Sequence, residues 1–143
     1  MTTYESNIET LNCNALKAYE LFSDLKNLEK FKDRMPSDKI KDIEFDSDSC
    51  RFSVDPIGKV GLIIVDKEVG KTIKFGVENS PIEANMWIQL KEVDECVTKM
   101  KLTIKAELPF LIKSMVDSKL KTFINQLSQA LASGTVKLMD WNS

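Results

Sequence analysis

Apolar residues recur every three to four positions near both ends of this chain and every two positions through its middle. From Leu108 to Ser133 they fall at Ile112, Val116, Leu120, Phe123, Leu127 and Leu131, with Ile124 and Ala130 widening the stripe. Steps of four, four, three, four and four residues keep these side chains on one face of an α-helix. Ser114, Asp117, Ser118, Lys121, Asn125 and Ser128 fill the opposite face, which predicts exposure for Lys121, Asn125 and Ser128. Pro109 suits a first helical turn, where no backbone N–H is needed, and Gly134 suits the stop. A helix from Phe110 to Ser133 would span about 36 Å and needs a large apolar partner.

The middle of the chain supplies one. Thr3 to Leu11 reads as a strand. Asn14 then suits the N-cap of a helix over Ala15 to Phe22, with Leu16, Tyr19 and Phe22 in phase. Ser23 or Asp24 ends it and caps a second short helix through Leu25, Leu28 and Phe31, and Pro36-Ser37 closes the segment. Six strand-like runs follow: Ile40 to Phe45, Cys50 to Val54, Lys59 to Val69, Thr72 to Val77, Ala84 to Val93 and Cys96 to Ala106. Turn signals separate them, among them Asp46-Ser47-Asp48-Ser49, Asp55-Pro56-Ile57-Gly58 and Asp94-Glu95. The short connections predict an antiparallel meander with one apolar and one charged face. Gly61 and Gly76, inside strands, suggest bulges or bends that curl the sheet. Val136, Leu138 and Trp141 lie in a short tail, Thr135 to Ser143, that docks or marks a contact surface.

Composition narrows the function classes. The 143 residues suit a single domain over 1–143, and 43% hydrophobic with 29% charged residues is ordinary for a globular protein. A net charge of −2, with no long basic run, predicts no nucleic-acid partner and no anionic membrane surface. No signal peptide and no transmembrane segment are expected. Three widely spaced cysteines, Cys13, Cys50 and Cys96, argue against a disulfide framework and for the cytoplasm. The chain has no histidine, which excludes an imidazole base and removes the commonest transition-metal ligand. No carboxylate set is spaced for a metal, and no nucleotide-binding or metalloprotease motif occurs, so no cofactor is expected.

Leu21-Phe22-Ser23-Asp24-Leu25 followed by Asn27-Leu28 is similar to the helix-to-helix junction of the START-like or SRPBCC superfamily, and Met35-Pro36 to the point where that chain re-enters the sheet. With the order strand, two helices, six strands, long helix, the whole chain resembles the helix-grip fold of that superfamily, which includes birch-pollen-allergen-like proteins and polyketide cyclases. The resemblance implies an α+β fold: a curved seven-stranded antiparallel sheet wrapped around the C-terminal helix, with two short helices after the first strand. It also implies a cavity between sheet and helix for a lipid, sterol, quinone or polyketide. No catalytic motif of the superfamily can be placed on this chain residue by residue.

The inward phase of the sheet and the helix stripe together give a candidate lining: Phe52, Val54, Leu62, Ile64, Phe75, Met86, Ile88, Met100, Leu102, Val116, Leu120 and Phe123. Burying each large side chain stabilises a fold by roughly 1.5–3 kcal/mol, so a filled core explains them as well as a void does. Met86, Met100 and Met115 add adaptable side chains. Cys50 and Cys96 share the inward phase; without a base to lower a thiol pKa, each reads as a small buried hydrophobe rather than a nucleophile. Asp66 and Glu68 continue the phase of Val60, Leu62 and Ile64. Either they are buried acids or the strand has left the core or slipped phase by then. Lys99, Lys101 and Lys105 form an outer stripe that discourages sheet-to-sheet pairing. The outward Trp87 packs under a loop or the tail, or marks a partner surface. The leading expectation is a non-catalytic module, monomer or homodimer, that binds a small hydrophobic or amphipathic ligand. The alternatives are a polyketide cyclase-like enzyme, which needs polar groups converging in the cavity, and a protein-interaction module.

Overall fold

A computed structural model describes residues 1–29, 40–54, 58–80 and 82–142; for Leu28, Ile40, Val54 and residues 135–142 it describes the backbone alone. The elements are β1 (Thr2–Glu5), β2 (Glu9–Leu11), α1 (Ala15–Ser23), α2 (Leu25–Leu28), β3 (Ile40–Phe45), β4 (Ser49–Val54), β5 (Gly58–Glu68), β6 (Thr72–Glu78), β7 (Ala84–Asp94), β8 (Val97–Ala106) and α3 (Phe110–Asn142). The strands form one antiparallel sheet in the order β1-β8-β7-β6-β5-β4-β3, and β2 also pairs with β8. One face carries the core, into which α3 and the two short helices pack.

The helix caps follow their chemistry. Asn14 Oδ1 accepts the Lys17 N–H at 2.8 Å, and Asp24 Oδ1 accepts the Lys26 N–H at 3.0 Å, so each short helix starts on a side-chain acceptor. Glu92 Oε1 accepts the Ala15 N–H at 2.9 Å and ties the start of α1 to β7, where a carboxylate also suits the helix dipole. Ala15, Ala18, Tyr19 and Phe22 bury one face of α1. The Leu21 to Leu25 junction is the α1–α2 corner; Phe31, Met35 and Pro36 lie outside the described residues.

The structure corrects several expectations. The first strand is two, because one extra residue sits between β1 and β2 opposite β8: Tyr4 pairs with Ile104, but Glu9 pairs with Met100. The slip points both Tyr4 and Leu11 inward, although they are of opposite parity, and leaves Ile8 exposed. Register also shifts between Ile64 and Asp66, between Lys41 and Glu44 and between Glu92 and Asp94, not at Gly61 or Gly76. Gly76 instead permits close packing, since a Cβ there would stand 3.1 Å from Val65 Cγ1. Past the shift in β5, Asp66 and Glu68 are exposed, which answers the choice left open for them. Cys96 is exposed because the hairpin turn takes in Glu95 and Cys96 and β8 starts one residue later. Helix α3 runs on through Gly134; glycine inside a helix costs about 1 kcal/mol relative to alanine but does not break it. The side chains of Val136, Leu138 and Trp141 lie outside the described residues.

The polar face of α3 also departs from the expected solvent exposure. Lys121 is exposed, but Asp117 and Asn125 are half-buried and Ser128 is 0% exposed. The reason is the β1–β2 edge, which lies along this face. The slip between β1 and β2 takes the Asn7 N–H out of the ladder, and Asn125 Oδ1 accepts it at 2.7 Å. The buried Tyr4 hydroxyl donates to Asp117 Oδ1 at 2.6 Å, and Lys121 Nζ lies 3.3 Å from Asp117 Oδ2. Ser128 Oγ donates to the Asn125 carbonyl within the helix.

This seam predicts a pH dependence. Burial, then the bond to Asp117 and its charge, push the Tyr4 hydroxyl up to about 12. The Tyr4 bond first, then Lys121, holds the Asp117 carboxyl below its ordinary value. A carboxylate depressed in the folded state stabilises above its unfolded pKa of about 3.9 and loses that contribution as pH falls through the folded value. A tyrosine raised in the folded state stabilises below about pH 10 and loses its contribution as pH rises through the folded value. Tyr4→Phe is therefore expected to lower the Tm at pH 7, by a margin that shrinks below about pH 4 as Asp117 is protonated in both proteins. Thermal melts at pH 7 and pH 3 check this; an equal loss at both would mean that the hydroxyl contributes no charge-dependent bond.

Candidate functional site

Residues from five strands and α3 converge on an apolar cavity of about 160 Å³. Phe52 of β4, Leu62 of β5, Val77 of β6, Met86 of β7 and Ile104 and Ala106 of β8 face Val116, Leu120, Phe123 and Leu127 of α3. A second void of about 60 Å³ adjoins it, lined by Leu25, Ile43, Phe45, Cys50, Phe75, Ile88 and Leu131. Phe52, Leu62, Met86, Phe123 and Leu127 line both, so these five side chains stand between the two spaces.

The void exists because α3 is gripped unevenly. Its stretch from Ile124 to Ala132 is packed, with Ile124, Leu127, Ala130, Leu131 and Ala132 all buried. All but Ala130 share one core cluster with Phe22, Leu25, Leu11 and Met100. Towards its start the helix packs less completely: Val116 is buried, but Leu120 and Phe123 are only half-buried and Phe110, Leu111 and Met115 are exposed. Opposite this half, the ends of β7 and β8 present the small side chains Ala84 and Ala106, which leave space under the helix.

Of the twelve residues expected to line a cavity, six come together at the larger void: Phe52, Leu62, Met86, Val116, Leu120 and Phe123. Phe75 and Ile88 reach only the smaller one. Met100 and Leu102 are fully buried and Ile64 packs against the same core; none of the three lines either space. These three belong to the filled part of the interior, where neighbours from α1 and β2 or from adjacent strands occupy the volume. The side chain of Val54 lies outside the described residues. Met115 is exposed rather than turned to the cavity. Val77, Ala84, Ile104, Ala106 and Leu127 line it without having been singled out, although each shares the parity or helical spacing of those that were.

The chemistry of the lining is spare. Among its described residues only Asn85 and Lys119 are polar. The Asn85 amide donates to the Phe75 carbonyl at 3.2 Å, so it is already engaged. Lys119 is exposed at the rim. Burial alone pushes the Cys50 thiol, at the smaller void, up to about 12, which holds it protonated. No carboxylate, tyrosine or thiol lines the larger void among the described residues, so no acid–base pair converges on one point there. No group of three or more cysteine, aspartate or glutamate side chains among the described residues is placed to hold a metal, and no described helix is long and apolar enough to cross a membrane.

The outer face holds a different cluster. Trp87 is half-buried between its cross-strand neighbour Lys74 and the diagonal Lys105, whose Nζ atoms lie 5.4 and 5.7 Å from the ring centroid. This is cation–π packing on the sheet itself.

No protein-family model matches the sequence, and no curated protein matches it significantly. Solved structures do match in shape. A protein from Thermus thermophilus superposes with a TM-score of 0.70 at 14% identity, covering 96% of this chain and 99% of that one. A START superfamily protein from Mycobacterium smegmatis gives 0.64 at 13% identity, covering 95% and 98%. Norcoclaurine synthase from Thalictrum flavum, in complex with dopamine and hydroxybenzaldehyde, gives 0.69 at 14% identity, covering 99% and 89%. An antiparallel sheet closed on a long C-terminal helix, superposing end to end on these proteins, gives this chain the helix-grip fold of the START and norcoclaurine synthase structures.

Proposed function

We propose that this chain is a single START-like domain that binds a small hydrophobic or amphipathic ligand between the sheet and α3. The observation that carries this reading is the apolar cavity of about 160 Å³ under the half-buried Leu120 and Phe123. Dry apolar cavities of about 150 Å³ hold a benzene-sized molecule, so the space suits one aromatic ring or a short alkyl chain. A whole sterol or long-chain lipid needs the cavity to widen, for example by movement of the side chains shared with the smaller void. A norcoclaurine synthase structure holds two single-ring compounds, a size class that fits the same estimate. The lack of converging acid and base groups among the described lining residues favours binding over cyclase-like catalysis. Three free thiols, including the exposed Cys96, fit a reducing compartment such as the cytoplasm.

Covering roughly 200 Å² of apolar ligand surface contributes about 5 kcal/mol before association costs, so a dissociation constant on the order of 10⁻⁴ M is the tightest expected. Titration calorimetry with octan-1-ol and toluene, alongside native mass spectrometry of the purified protein, tests this. The expected result is saturable one-to-one binding, weakened at least tenfold by Val116→Phe, which puts a ring into the space. No binding of either probe and no co-purifying small molecule would refute a ligand cavity.

A further inference from the structure

We infer that the cavity selects amphipathic anions, with Lys119 holding the anionic head at the rim while the apolar body enters beneath α3; this rests on the binding reading above. Lys119 is the one charged residue among those described around the cavity, whose other walls are almost wholly hydrocarbon. Four other cations near this part of the fold already have partners. Lys121 pairs with Asp117 at 3.3 Å, Lys101 with Glu5 at 3.4 Å, and Lys74 and Lys105 lie over Trp87. Lys119 forms no ion pair or hydrogen bond with any described residue.

Helical geometry explains that isolation. The residues three and four positions away from Lys119 are Met115, Val116, Thr122 and Phe123, none of them acidic. Asp117, the acid closest in sequence, is turned to Tyr4 and Lys121 on the β1–β2 side. The same spacing sets Lys119 one turn from Val116 and Phe123, both lining residues, so its flexible stem borders the opening. An ammonium group there remains solvated and available, and a carboxylate held beside it need not enter the hydrocarbon. The ligand class that satisfies both features is a small anion with an apolar body of about one ring or a short chain.

The test is a matched pair of probes, octanoate and octan-1-ol, titrated into the full-length protein at low salt. Exposed ion pairs are modest, so Lys119→Gln is expected to weaken octanoate binding about threefold to fivefold and Lys119→Glu further, with octan-1-ol unchanged in both. Raising the salt to about 0.5 M should erase the difference between wild type and Lys119→Gln for octanoate. Lys113→Gln removes a cation from the same helix that does not line the cavity and should leave both probes unaffected. If octan-1-ol binds but octanoate affinity is the same in Lys119→Gln, or falls equally in Lys113→Gln, the anion reading is wrong and the apolar cavity stands. If octan-1-ol does not bind wild type, the cavity reading itself fails.

Discussion

Phe22→Ala should cost about 3–5 kcal/mol of folding stability and Phe123→Ala only about 1–2 kcal/mol, although the same atoms are removed. Phe22 is 0% exposed, buried by α1 against the sheet, and lines neither void. Removing its ring opens a cavity that packed neighbours close only in part. Phe123 is half-buried and already faces both voids, so fewer contacts are lost when its ring goes. Lys121→Ala, exposed on the same helix, should stay within about 1 kcal/mol. Urea melts of the three variants decide the matter. Equal losses for Phe22→Ala and Phe123→Ala would mean that α3 is tightly packed along this stretch and that the space beneath it is not a void.

That contrast also marks how far the sequence could be read. Alternation identified every strand from β3 to β8, because a half-buried sheet forces a period of two and short turns leave antiparallel pairing as the simple arrangement. The apolar stripe identified α3, Asn14 announced the start of α1, and Ser23 or Asp24 that of α2, where the structure places Asp24 at the cap, since capping is local chemistry. What alternation cannot show is a slip of one residue. Tyr4 and Leu11 are both buried only because an extra residue separates them, and β5 shifts register before Asp66 and leaves the core there, with residues 65–69 exposed on both phases. Nothing in the local spacing of either strand requires those shifts; the partner strand fixes them.

The cavity was half legible for a related reason. Parity says which side chains face inward, and Phe52, Leu62, Met86, Val116, Leu120 and Phe123 do surround the void. It does not say where along the sheet the interior is filled. Met100 and Leu102 have the same parity as Ile104 and Ala106, yet the first two are sealed in the core and the last two open onto space. The difference arises from where α1 and α2 pack over the sheet and β2 extends it beside β8, which is long-range information. Lys119 does carry a sequence signal, since it lies one turn from Val116 and Phe123 on the border between the apolar stripe and the polar face.

Ser128→Lys should cost about 3–5 kcal/mol, whereas Ser128→Ala should change stability by less than about 1 kcal/mol. By helical spacing alone, position 128 belongs with the solvated residues and a lysine there would be harmless. In the fold it is 0% exposed, on the side of α3 that the β1–β2 edge covers. Among the described residues its hydroxyl bonds only to the Asn125 carbonyl of its own helix, so alanine leaves no distant partner among them unsatisfied. A lysine must either carry its stem through the packed seam or push the helix off the strands, and both routes disturb the Asn7–Asn125 bond at 2.7 Å. The ammonium group can reach water by extending, which limits the cost below that of a fully buried charge. Denaturant melts of the two variants, with amide exchange at Asn7 as a local probe, separate the cases. Faster exchange at Asn7 is expected in Ser128→Lys alone. A lysine variant as stable as wild type, with Asn7 still protected, would show that the β1–β2 edge does not seal this side of the helix.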